Sequence, residues 1–147
     1  MKKTKQLQEE IATRMREWQK TENRAVVITG QMIEKTENPL VRLVMEIIQR
    51  DSQLHHRIQQ FIIDSLEGTA VTLSPEDLGA LSNLVGKHKR VEDDMLCQVD
   101  DLLKQLQGKR MLVQEYFLNF LRTDEHKHCQ MLAALDSFKK GIYPYSS

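Results

Sequence analysis

Apolar residues recur three and four positions apart through four long stretches of this chain, and that spacing constrains the fold more than any other feature. A stripe with this period lies along one face of an α-helix. The first stretch carries Leu7, Ile11, Met15, Trp18, Ala25/Val26, Met32 and Ile33, and the second Leu40, Val44, Ile47, Ile58, Ile62 and Leu66. The third carries Leu78, Leu81, Val85, Met95/Leu96, Val99 and Leu103, and the fourth Leu118, Leu121, Leu132 and Leu135. Turn residues fall between the stripes. Glu37-Asn38-Pro39 reads as a turn, Gly68 as a stop, Ser74-Pro75-Glu76-Asp77 as a capped helix start, and Gly108 as a joint. Gly141 and Pro144 close the last pattern. Together these signals predict helices over roughly 5–35, 39–67, 75–107 and 109–139. Val26-Val27-Ile28-Thr29-Gly30 lowers helix propensity inside the first, yet the apolar spacing runs through it.

The expected architecture is all-α, an antiparallel four-helix bundle occupying residues 1–147 as one domain. Only 6 Gly and 5% aromatic residues argue against an all-β fold. Lys plus Arg equals Asp plus Glu at 21 each, so the chain lacks the basic excess of a nucleic-acid binder. No apolar run is long enough to span a membrane, and Met1-Lys2-Lys3-Thr4-Lys5-Gln6 has no apolar run behind it, as a secretory signal would. Cys97 and Cys129 make no disulfide framework and no CxxC, which fits the reducing cytosol. No Gly-rich phosphate loop, G-x-S-x-G or Cys–His nucleophile motif is present.

Acids interrupt the stripes. On a helical wheel Glu22 falls between Trp18 and Ala25/Val26, and Asp51 between Ile47 and Ile58 with His55 one turn on. Glu92 falls between Val85 and Val99 with His88 one turn before it. Glu125 falls between Leu121 and Leu132 with His128 one turn on. Inward carboxylates need partners or a metal. Each of the four lies near the middle of its helix, so antiparallel neighbours bring them to one level. Four ionised carboxylates there would repel strongly, and two divalent cations would neutralise them. By the same wheel His56, His126 and Tyr116 point outward, Trp18 is core, and Cys129 lies at the edge of the inner face. Gly79 and Gly86 share an outer face of the third helix that could meet another subunit.

At this point the chain resembles the ferritin-like superfamily, its rubrerythrin-like branch most. Glu34-Lys35-Thr36-Glu37-Asn38-Pro39-Leu40 is similar to that branch's first helix–helix joint, and Asp124-Glu125-His126-Lys127-His128 to its second Glu-x-x-His helix. The family pattern is Glu then Glu-x-x-His, repeated once. Glu92 followed by Glu125 and His128 fits one repeat. Glu22 followed by Asp51 and His55 departs from the other, because Ser52 stands where the family has Glu. The joint from Glu67 to Leu73 spans about 25 Å when extended, short of the roughly 40 Å needed to climb a helix. That makes the second and third helices antiparallel, in up-down-up-down order.

The resemblance implies two divalent metal ions, iron first, with manganese or zinc compatible. Glu22, Asp51, Glu92 and Glu125 would bridge and neutralise them, His55 and His128 would cap them, and His88 would ligate or support a carboxylate. The implied activity is ferroxidase- or peroxidase-type handling of iron, dioxygen or peroxide, with a separate electron donor and a homodimeric assembly. The competing expectation is a non-enzymatic helical scaffold or oligomerising protein whose altered site holds one metal or none.

Overall fold

The computed structural model describes residues 3–68, 71 and 73–142, the side chains of 136–142 excepted. Pro144 lies outside the described residues. The described chain forms four α-helices and no strand: α1 (Thr4–Lys35), α2 (Pro39–Glu67), α3 (Pro75–Leu106) and α4 (Leu112–Ile142). More than three-quarters of the chain is helical, as the stripe spacing requires. No helix is long and apolar enough to cross a membrane among the described residues.

The helix boundaries follow from local chemistry. Asn38 caps α2: its side-chain oxygen accepts from the backbone N–H of Leu40 at 2.9 Å and of Val41 at 3.2 Å, with Pro39 at the first helical position. Ser74 caps α3 reciprocally. Its hydroxyl accepts from the Asp77 N–H at 3.1 Å, and the Asp77 carboxylate accepts from the Ser74 N–H at 2.9 Å. The β-branched run inside α1 stays helical, and Thr29 within it folds its hydroxyl back onto the Ala25 carbonyl at 2.7 Å, which lets it be buried. The joint between α3 and α4 is longer than expected. Gly108 adopts φ +75°, the left-handed region that costs any residue with a Cβ. Lys109 and Arg110 therefore cannot continue a helix, and α4 begins at Leu112, where the Glu115 N–H reaches the Met111 carbonyl at 2.9 Å.

The chain divides into two compact units, Met1–Val71 and Thr72–Ser147. In the first, α1 packs on α2; in the second, α3 packs on α4. Contacts fall in reverse order along the two helices of each unit. Arg16 pairs with Glu67, Gln19 with Gln60, Glu22 with Gln59, and Gln49 with the Val26 carbonyl. In the second unit Asp93 meets Cys129 and Asp100 meets Arg122. Each unit is thus an antiparallel helical hairpin.

The buried strip of each hairpin is narrow. It comprises Ala12, Met15 and Thr29 on α1; Ser52, Gln59 and Ile63 on α2; and Val85 and Val99 on α3. The wheel placed Trp18 in the core, but it is 51% exposed. Leu7, Met32, Leu40, Ile58 and Leu121, all members of the stripes, are exposed too. One partner helix covers only part of a stripe this wide.

Two stability predictions follow from the caps. Asn38→Ala should lower the stability of the chain by about 1 kcal/mol in a thermal melt. The Ser74 N–H, and then the Ser74 hydroxyl, hold the Asp77 carboxyl below its ordinary value of 3.8. A depressed carboxyl contributes stability above its unfolded value, lost as pH falls through the lower folded value. Asp77→Asn should therefore lower the thermal midpoint at pH 6 and leave it nearly unchanged at pH 2.

Candidate metal centre

The second hairpin brings three of the expected ligands together. Glu92 projects from α3, and Glu125 and His128 project from successive turns of α4 into the same seam. One ligand atom from each lies within 4.8 Å of the others. His128 Nδ1 stands 3.5 Å from Glu92 Oε1 and 3.7 Å from Glu125 Oε2. The Glu92 and Glu125 side chains are only 18% and 13% exposed. Glu92 Oε2 and Glu125 Oε2 are fully shielded from solvent and take no hydrogen bond.

Two shielded carboxylates side by side, each with an oxygen lacking a donor, form an electrostatically unfinished group. His128, if protonated, brings one positive charge to two negative ones. The residue types fit a divalent cation: two carboxylates and one imidazole are ordinary ligands for iron, manganese or zinc. His88, placed one turn before Glu92, is exposed at the lip. It lines a groove of about 280 Å³ together with Glu92, His128, Met131 and Leu132. The groove is open to solvent and reaches Glu92 and His128.

The first hairpin builds a related but different group. Glu22 of α1, also 18% exposed, meets His55 of α2, whose Nδ1 lies 3.4 Å from Glu22 Oε1. Asp51, placed inward by the sequence reading, is exposed in the hairpin, and Ser52 takes the seam position at 6% exposure. The physical reason is phase. The apolar stripe of α2, from Leu40 to Ile58, does not lie on its α1-facing strip, so Asp51 on that stripe stands off the seam of this hairpin. A residue the sequence reading passed over, Gln59, completes the group: its amide Nε2 donates to Glu22 Oε1 at 3.3 Å, and its Oε1 is shielded without a partner. Ser52 and Gln59 share a heptad spacing along α2 with Met45 before them, and that spacing marks the true seam.

Other polar contacts set the hairpin registers. Gln49 donates to the Val26 carbonyl at 3.2 Å across the first seam. It passes Gly30 so closely that a Cβ there would stand 3.2 Å from Gln49 Nε2. His126 and Tyr116 are exposed as expected, while His56 is partly covered and its carbonyl accepts from Gln19 at 3.3 Å. Gly79 and Gly86 have open space where a Cβ would stand.

Beside the second group, the Cys129 thiol lies 3.7 Å from Asp93 Oδ1. Partial burial first, then the charge and hydrogen bond of Asp93, and then the charge of Glu92, push this thiol above its ordinary value. Its thiolate is therefore scarce at neutral pH. In a Cys97→Ser background, Asp93→Asn should speed alkylation of Cys129 by iodoacetamide at pH 8 severalfold, read by mass shift against time.

Comparison of the chain with protein-family models, with curated proteins and with solved structures finds no match.

Proposed function

We propose that this chain is a ferritin-like, rubrerythrin-like metal-binding protein whose second hairpin holds a divalent metal ion through Glu92, Glu125 and His128. The observation that carries this reading is the pair of shielded, donorless carboxylate oxygens, Glu92 Oε2 and Glu125 Oε2, beside an imidazole. Leaving two such charges uncompensated is costly, and a divalent ion is the compensation that their geometry admits. In the full reading the chain is a cytosolic protein with an antiparallel ferritin-like four-helix bundle. It works as a homodimer and draws electrons from a separate donor. Its ion is iron, with manganese or zinc as substitutes, and its co-substrate is dioxygen or peroxide. Iron, when bound, supplies redox chemistry toward those oxidants. The residues of the chain hold the ion, balance its charge and, through the groove at His88, admit a small molecule from solvent.

The first hairpin favours a second reading. Ser52 is neutral where a full dimetal site would need another carboxylate. On that reading the protein is a helical scaffold or oligomerising protein that keeps one metal or none.

Metal content per chain decides between them. Protein loaded anaerobically with ferrous iron and desalted should retain metal. Glu125→Gln should reduce retention at least tenfold while leaving the helical circular dichroism unchanged. The metal-free Glu125→Gln protein should melt at or above the midpoint of the metal-free parent, because one shielded like charge is gone. A parent chain that retains no metal sinks the metal reading and leaves the scaffold.

A further inference from the structure

We infer that Gln59 is a built-in substitute for a metal ion: its amide closes the first hairpin's ligand group, so that the chain carries one metal position where its two hairpins have the framework for two. The inference rests on reading the second hairpin as a metal centre, because Glu92, Glu125 and His128 supply the template.

The two hairpins present the same frame. Met15, Glu22 and Thr29 stand at heptad spacing along α1, and Val85, Glu92 and Val99 stand the same way along α3. The four flanking residues are all buried, at 5–8% exposure. Between them, Glu22 and Glu92 are each 18% exposed. Each glutamate meets a histidine of the facing helix through Nδ1, at 3.4 Å for His55 and 3.5 Å for His128. The frames therefore correspond in spacing, burial and contact at the glutamate and the histidine.

They differ on either side of the histidine. Three residues before it, Ser52 replaces the position held by Glu125; four residues after it, Gln59 replaces the position held by Leu132. The two changes are complementary. Ser52 removes a negative charge, and Gln59 adds an N–H donor on the remaining one. Glu22 Oε1 receives that donor at 3.3 Å, together with the His55 contact, so it does not need a cation. Glu92 has no such donor, and its Oε2 stays bare. Gln59 is 7% exposed, so its amide is held in the seam and not on the surface. A neutral amide donor at an anionic oxygen supplies part of what a cation would, without requiring one.

The claim is that the exchange is reversible. Ser52→Glu with Gln59→Leu gives the first hairpin the residues of the second. The test is made in the full chain carrying Glu125→Gln, which disables the second position, with cobalt(II) as the probe, read by its visible absorption and by stoichiometry per chain. The Glu125→Gln protein should bind no cobalt. Adding Ser52→Glu and Gln59→Leu should give one cobalt per chain, and further adding Glu22→Ala should abolish it. A folded triple variant that binds no cobalt overturns the inference. If the parent binds cobalt and the triple variant does not, the second-hairpin reading stands and this inference falls. If the triple variant binds cobalt and the parent does not, the second-hairpin reading falls, and the claim of one retained metal position falls with it. A second arm covers the case in which the triple variant does not fold. Gln59→Glu is isosteric and places two carboxylates beside His55. In the Glu125→Gln background it should lower the thermal midpoint by several degrees, and cobalt should restore it. A lowered midpoint that cobalt does not move overturns the inference as well.

Discussion

A helix that packs on one partner hides only a narrow strip, and whatever stands on that strip must be apolar or fully compensated. Both hairpins obey this constraint along most of their length, with Met15, Ile63, Val85 and Val99 filling the strip. Both depart from it at one level, where a glutamate faces a histidine across the seam. At that level each seam brings ionisable side chains of both its helices together. The rest of each hairpin serves to hold two helices at fixed phase, so that residues from different turns of one helix meet a single residue of the other.

The two departures are resolved in opposite ways. The α1–α2 seam carries a series of neutral polar groups, with Gln49, Ser52 and Gln59 on α2 and Gln19 and Thr29 on α1. Gln19, Gln49 and Thr29 donate to backbone carbonyls, and Gln59 donates to Glu22. Among the described residues, fewer neutral side-chain donors cross the α3–α4 seam. It pairs Arg122 with Asp100 at 2.6 Å toward the loop end and leaves two carboxylates together at the Glu92 level. Neutral side-chain donors beside Glu22 and a second carboxylate beside Glu92 thus occupy corresponding places in similar frames.

Helix number, most helix limits and the inward placing of Glu22, Glu92 and Glu125 were legible in the sequence, because period, caps and acids within a stripe are local signals. The α2 phase was not. Leu40, Ile47 and Ile58 form a stronger apolar stripe than Met45, Ser52, Gln59 and Ile63, so the wheel turned toward them and carried Asp51 inward. Sequence reading counts hydrophobicity, whereas the seam facing one partner selects for small or self-paired side chains that fit between two backbones. Trp18 was misplaced for a related reason: its size made it a core residue by type, and it stands beside the strip. The end of α3 was legible from Gly108, but the start of α4 was not. Lys109 and Arg110 are good helix formers in isolation, and only the left-handed glycine before them directs the chain away.

The polar α1–α2 seam also bears on how the chain comes to be folded. Its contacts join residues on either side of one tight turn at Thr36–Asn38, and they need nothing from outside the chain. Ribosomal synthesis delivers this half before the other. The α3–α4 half follows, and its shielded Glu92 and Glu125 oxygens have no hydrogen-bond donor. Synthesis thus presents the internally paired polar seam first and the seam with two unpaired carboxylate oxygens second.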